Sequence, residues 1–242
     1  MSRGRSVDIN VDAGEGCDDA TLMPSITSVS VACGGHTGDD ESMTRTLALA
    51  ARHGLRLGAH PSYPDRAGFG RHEVEIDAAT LGRSLREQVT TLLRLARRLG
   101  FDVTHVKAHG ALYNRAWRDP ATAATVAAAV HDCDPSLALF CPPASSQLEA
   151  AKELGLRAIT EVFLDRRYQA EGNLVPRSEP GAVIGDAQDL EAQLQSLGAM
   201  DFETMCVHGD NPAAEILLTD IDVRLRRFGL VRAPYDIGSP PL

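Results

Sequence analysis

Lysine is nearly absent from this chain: of 24 basic residues in 242, only Lys107 and Lys152 are lysines. The arginines form no dense basic run, and the formal net charge is −9. Nucleic acid and anionic membrane surfaces are therefore disfavoured as partners. No G-x-x-x-x-G-K-[ST] stretch occurs, which excludes a phosphate-binding loop of that type. Neither G-x-S-x-G nor H-E-x-x-H is present, which removes a nucleophile elbow and a helical zinc-protease pair. The five cysteines (Cys17, Cys33, Cys133, Cys141, Cys206) make no C-x-x-C pair and are odd in number. That fits a reducing compartment better than a disulfide framework. No apolar run approaches a membrane span. Asp8, Asn10 and Asp12 break the stretch behind the basic N-terminus, so it is no signal peptide. A soluble, cytoplasmic protein is expected.

What the chain does have is alternation. Strand-like segments at Val7–Val11, Ile26–Ala32, Leu55–Ala59, Val103–Val106, Leu137–Phe140, Arg157–Val162 and Thr204–Val207 are separated mostly by helical patterns. Asp39, Asp77, Asp119-Pro120, Ser145 and Asp186 are helix starts, and Asn211-Pro212 opens a last amphipathic helix ending near Phe228-Gly229. In the second helix Leu81, Leu85, Val89, Leu92, Ala96 and Leu99 recur at three or four residues, which buries one face. Such βα repetition predicts a parallel sheet covered by helices. Polar residues end six of the strands, whereas an open sheet gathers its site mainly at one switch point. The pattern therefore predicts an α/β fold, a distorted seven-stranded (β/α) TIM-like barrel. One barrel domain over 7–228 is expected, with a flexible N-terminus at 1–6 and a tail at 229–242.

Four histidines follow short apolar runs in small-residue settings: His36, His60, His109 and His208. At the carboxyl ends of barrel strands they would form an active-site rim. Asp8, Asn10 and Asp12 share one face of the first strand, the barrel interior, where a carboxylate is expensive unless it is paired or functional. Glu15 follows in the next turn. Asp39 has a sound structural reading as a helix cap. Lys107 and His109, two apart, face one way, so Lys107 can stabilise an oxyanion while His109 shuttles a proton; an ion pair of Lys107 with Asp12 or Asp210 is the structural alternative. Tyr113 and Asn114, read as a loop, can bond a small polar substrate, and Asp165 with Arg166 can recognise a carboxylate. His208 and Asp210 close the ring. Asp and His at several strand ends could hold a divalent metal, yet no compact ligand spacing demands one.

The segments Asp8–Gly16, Ala32–Asp39, Gly58–Asp65 with Gly68–Arg71, Val106–Asn114, Glu161–Tyr168 with Leu174–Arg177, and Cys206–Asp210 together resemble the LamB/YcsF family, the A subunit of ATP-dependent 5-oxoprolinase. The resemblance implies a distorted (β/α) barrel that opens the lactam of 5-oxo-L-proline to L-glutamate with ATP hydrolysis. It implies partner subunits B and C, which would carry most of the ATP binding. Under this reading Asp12, His60, Lys107, His109 and Asp210 are the catalytic candidates. Asn10, Glu15, His36, Tyr113, Asn114, Asp165, Arg166 and His208 are the substrate contacts. Ser30, Gly35, Ala108 and Gly185 depart from the family pattern near the rim, which leaves room for another small lactam. The alternative is a stand-alone, metal-dependent amide hydrolase or deacetylase with Asp12 and two of His36, His60 and His208 as ligands.

Overall fold

The computed structural model describes residues 4–170, 172–198 and 200–237. Seven parallel strands close on themselves: β1 (Arg5–Ala13), β2 (Ser28–Ala32), β3 (Arg56–His60), β4 (Val103–Val106), β5 (Ala138–Cys141), β6 (Ala158–Phe163) and β7 (Thr204–Cys206). β1 closes the ring by pairing with β7 through Asp8–Asn10 and with β2 through Asn10–Ala13. The fold is a TIM-like (β/α) barrel of seven strands.

The helices form where the sequence supplies caps. In α2 (Asp40–Arg52) Asp39 accepts from the Ser42 amide at 2.8 Å and its own amide donates to Ser42 Oγ at 2.8 Å, a reciprocal cap. Asp77, Asp119, Ser145 and Asp186 cap α3 (Ala78–Arg98), α5 (Pro120–Cys133), α6 (Ser146–Glu153) and α7 (Ala187–Leu197) in the ordinary single-bond manner. Leu81, Leu85, Val89, Leu92 and Ala96 of α3 are buried, as their spacing predicts, whereas Leu99, expected on the same face, lies just past the helix end and is 38% exposed. No helix among the described residues is long and apolar enough to cross a membrane.

Four expectations need correction. Gly110–Arg118 is a helix (α4), where the sequence reads as a loop; Gly110 starts it with φ +56, a conformation that favours glycine. A short α1 (Asp19–Leu22) follows β1. The final amphipathic helix is two pieces, α8 (Ala214–Leu218) and α9 (Ile221–Arg227), broken at Thr219 and at Asp220, whose φ is +54. Finally, the expected tail at 229–242 contributes structure. Leu230–Arg232 form β8, parallel to the first residues of β1, so β1 starts at Arg5, inside the segment read as a flexible end. Residues 1–3 and 238–242 lie outside the described residues.

The chain beyond β8 also closes the amino-terminal mouth of the barrel. Tyr235 is 4% exposed and packs with Ala138, Phe140 and Ile159. Its hydroxyl lies 2.9 Å from His105 Nδ1 and 2.7 Å from Thr104 Oγ1. His105 stacks on Phe140 at 4.2 Å, and its Nε2 meets Ser30 Oγ at 3.2 Å. Burial, then the charge of Lys107, depress its pKa to about 3, so it is a neutral packing residue. The ring occupies the space a side chain on Gly58 would need: a Cβ there would lie 2.1 Å from His105 Nε2. With His105 held by Ser30, Phe140 and Tyr235, the ring cannot retreat cheaply. Gly58→Ala is expected to cost about 1–3 kcal/mol of stability, the range for overpacking. Urea unfolding checks this, and a wild-type midpoint would contradict it.

Candidate active site

The barrel interior is polar on the β1 side. Asp8, at its base, accepts from Thr27, Ser28 and Thr204. Above it lies Lys107, 2% exposed and next to the end of β4. Its ammonium reaches Glu161 Oε1 at 2.9 Å, Asp12 Oδ1 at 3.0 Å, Cys206 Sγ at 3.0 Å and Asn10 Oδ1 at 3.1 Å. Its directed hydrogen bonds go to Asn10 Oδ1 and Cys206 Sγ, while Glu161 Oε1 and Asp12 Oδ1 take charge contacts. Burial pushes the ammonium pKa down, but Asp12, Cys206 and Glu161 hold it well above the ordinary value. The same burial would raise the Asp12 carboxyl, and His60 and Lys107 bring it well below its usual range. Lys107 is thus enclosed by four acceptors of the barrel interior and set against Asp12.

The histidines stand above this pair. Backbone pairing continues past β4, with the Lys107 amide donating to Ala59 O at 2.9 Å and the His109 amide to Pro61 O at 2.8 Å. That extension places Lys107 and His109 on one side, as their spacing predicts. His60 Nδ1 donates to the Lys107 carbonyl at 2.8 Å, and His109 Nε2 donates to the Phe69 carbonyl at 3.0 Å. Their other nitrogens, His60 Nε2 and His109 Nδ1, face each other at 3.0 Å. Asp12 Oδ2 is 3.3 Å from His60 Nε2, and Glu15 Oε1 is 3.2 Å from His109 Nδ1. His36 stacks on His109 at 3.7 Å with an interplanar angle of 2° and meets Glu15 Oε1 through Nε2 at 2.8 Å. Burial depresses the His36 pKa to about 4, so it is neutral. Burial opposes charge on His60 as well, yet Asp12 and Glu15 raise its pKa overall. For Glu15 burial raises the carboxyl pKa, and the neighbouring His109 and His36 bring it well below its ordinary value.

A second dyad flanks the first. Asp165 Oδ1 accepts from His208 Nδ1 at 2.8 Å, and Oδ2 accepts from the His208 amide and from Asn211 Nδ2. His208 stacks on Phe163, and Nε2 is the nitrogen left for a group in the cavity. The cavity is about 800 Å³ and opens over Asp12, Glu15, His60 and His109. Phe163 and Trp117 supply aromatic wall, and Arg71, Arg166 and Arg177 are cations of the rim.

The sequence-predicted residues therefore separate. Asp12, Glu15, His36, His60, Lys107, His109 and His208 converge. Asn10, expected to touch substrate, lies beneath Lys107 with its amide engaged by Glu161 and Thr204. Asp165, expected to recognise a carboxylate, is fully buried and orients His208. Asp210 is bound between Arg71 and Arg177. Arg166 lines the cavity, with one nitrogen on the Val175 carbonyl at 2.7 Å. Tyr113 and Asn114 line it from α4, Tyr113 buried and Asn114 exposed. The Lys107–Asp12 ion pair is present; the Asp210 alternative is not formed. Sequence reading missed Glu161, Cys206, Phe163 and the rim arginines Arg71 and Arg177. An acid in an otherwise apolar strand was the signal available for Glu161.

The model of the LamB/YcsF family matches residues 7–237. A protein of Bordetella pertussis, named as the A subunit of 5-oxoprolinase, is 41% identical over 93% of this chain and 97% of its own length. One of Neisseria meningitidis with the same name is 40% identical over 93% and 98%. Among solved structures, a lactam utilization protein from Thermus thermophilus superposes with a TM-score of 0.84 at 33% identity, covering 95% of this chain and all of the other.

Removing the Lys107 cation leaves Asp12 and Glu161 buried without their counter-charge. Lys107→Met is expected to cost about 3–5 kcal/mol, as for breaking a buried ion pair from one side. Urea unfolding measures it, and a loss below about 1 kcal/mol would contradict the packing of charge described here.

Proposed function

The chain belongs to the LamB/YcsF family, and from that membership and the geometry of its cavity we propose that it is the A subunit of an ATP-hydrolysing 5-oxoprolinase. Working with subunits B and C in the cytoplasm, it opens the lactam of 5-oxo-L-proline. Two waters are consumed: one adds to the amide carbon as the ring C–N bond breaks to give L-glutamate, and the other takes up the phosphoryl group from ATP, leaving ADP and phosphate. A five-membered amide is a poor electrophile, so transfer of a phosphoryl group to its oxygen is a sensible activation. The missing phosphate-loop motif is in keeping with ATP binding carried largely by the partner subunits.

The observation that carries this reading is the pairing of a small aromatic-walled cavity with an acid–base floor and a cationic rim. The ring of 5-oxo-L-proline fits against Phe163 and Trp117. Its carboxylate is complementary to Arg166, whose guanidinium is not tied to a carboxylate. His208, fixed by Asp165 with Nδ1–H committed, offers Nε2 as general base to the attacking water. Asp12, beside His60, relays the proton delivered to the departing nitrogen. Lys107 is a positioning residue for Asp12, and Asp210 holds Arg71 and Arg177 in place.

The test is the chain reconstituted with its B and C subunits, assayed for glutamate and ADP from 5-oxo-L-proline and ATP. His208→Gln and Asp12→Asn are each expected to lower kcat by about 10²–10⁴-fold, the usual contribution of a positioned acid or base. Arg166→Ala is expected to act mainly on KM for the lactam. Wild-type rates in both His208→Gln and Asp12→Asn, or a complex with no coupled turnover, would overturn the proposal.

A further inference from the structure

Three acceptor atoms meet at one point of the cavity floor. His60 and His109 each commit their far nitrogen, as a donor, to a backbone carbonyl. In the neutral rings, His60 Nε2 and His109 Nδ1 must then present lone pairs to each other across 3.0 Å. Glu15 Oε1 completes the triangle, 3.2 Å from His109 Nδ1 and 3.6 Å from His60 Nε2. Lone pairs approach in this way only with something positive between them, either a proton or a metal ion.

We propose that Glu15, His60 and His109 form three ligands of a divalent transition-metal site, with a further position open to the cavity. The triangle has the right size: a tetrahedron with bonds of ~2.0–2.1 Å has edges of about 3.4 Å, and the three observed edges are 3.0, 3.2 and 3.6 Å. A His₂Glu set with an open position is a known catalytic zinc arrangement. The groups behind the ligands agree. Metal-binding imidazoles hand their other N–H to a carbonyl or carboxylate, as both rings do here. The Phe69 carbonyl that receives His109 is held by an unusual backbone, with φ +54 at a non-glycine residue.

Charge points the same way. The buried Asp12 and Glu161 and the half-buried Glu15 set three carboxylates against the single ammonium of Lys107 in one cluster. With neutral imidazoles two negative charges are left over, and burying them unpaired is costly. A divalent ion cancels both, whereas one proton shared by the two imidazoles cancels half.

His36 is not a ligand in this assignment although it touches Glu15. Its ring is parallel to that of His109, so their lone pairs run side by side instead of converging. It serves as the donor that orients Glu15. His208 is committed to Asp165 through Nδ1 and lies across the cavity floor with Asp12 and Cys206, a separate grouping. The ligand set thus differs from the Asp12-centred one that the sequence suggests.

The site is independent of the lactam reading, because it is tested without lactam, ATP or partner subunits. The full chain, stripped with a chelator and dialysed, is titrated with Co²⁺ and followed by visible absorption, then competed with Zn²⁺. The expected result is saturation at one equivalent with the band lost on adding Zn²⁺. Glu15→Gln and His109→Ala are expected to weaken uptake by more than the ~10–100-fold that loss of an outer partner of a ligand costs. Asp165→Asn is expected to retain it. A folded wild-type chain that takes up no Co²⁺ overturns the assignment and leaves a shared proton between the imidazoles. Uptake unchanged in both Glu15→Gln and His109→Ala also overturns it, moving the ion to Asp12, Cys206 and His208.

Discussion

Lys107 holds the site together from both of its ends. Its ammonium fixes Asp12 and Glu161 inside the barrel, while its backbone carbonyl takes the Nδ1 proton of His60. One residue therefore sets the carboxylate and the tautomer of the imidazole that faces it. His109 follows from the same strand extension, two residues on, and Glu15 follows from the histidines. An ammonium in such a place is tolerable only because several acceptors replace its water. That requirement explains why so many interior positions of β1, β6 and β7 are polar in a barrel whose core would otherwise be filled by branched apolar residues.

The chemistry is layered along the barrel axis. At the amino-terminal end the interior is sealed by Tyr235, Phe140 and the neutral His105, which keeps the buried charges from solvent on that side. The middle layer is Asn10, Lys107, Glu161 and Cys206, which turn toward one another. The carboxyl-terminal layer opens to the cavity: Asp12, Glu15, His60, His109 and His208 line it. Low effective dielectric strengthens each interaction there. Rigidity below and reactivity above are two consequences of one charge arrangement.

The sequence made much of this legible, for reasons that differ by residue. The seven barrel strands and the Asp and Ser caps were readable because periodicity and capping are local signals. The histidine ending β3 and those following β4 and β7 were readable because His-Gly or His-Pro after an apolar run has little structural excuse. Roles were less readable than positions. Nothing local tells Asp12 from Asn10, since both alternate on the same face; depth inside the barrel separates them. Asp165 reads like a substrate contact until its partner His208, 43 residues away, is placed against it. β8 was hidden because three residues amid prolines carry no period, and Tyr235 because its partners are far off in sequence. The helix at Gly110 was hidden because glycine ordinarily ends helices and here begins one.

The central claim is that the cavity above Lys107 receives 5-oxo-L-proline. A crystal structure of the chain soaked with 5-oxo-L-proline addresses it directly. The account predicts the lactam ring against Phe163 and Trp117, its carboxylate on Arg166 and its amide over His60, His109 and His208. A ligand bound elsewhere on the molecule, or an empty cavity at saturating lactam, would contradict it.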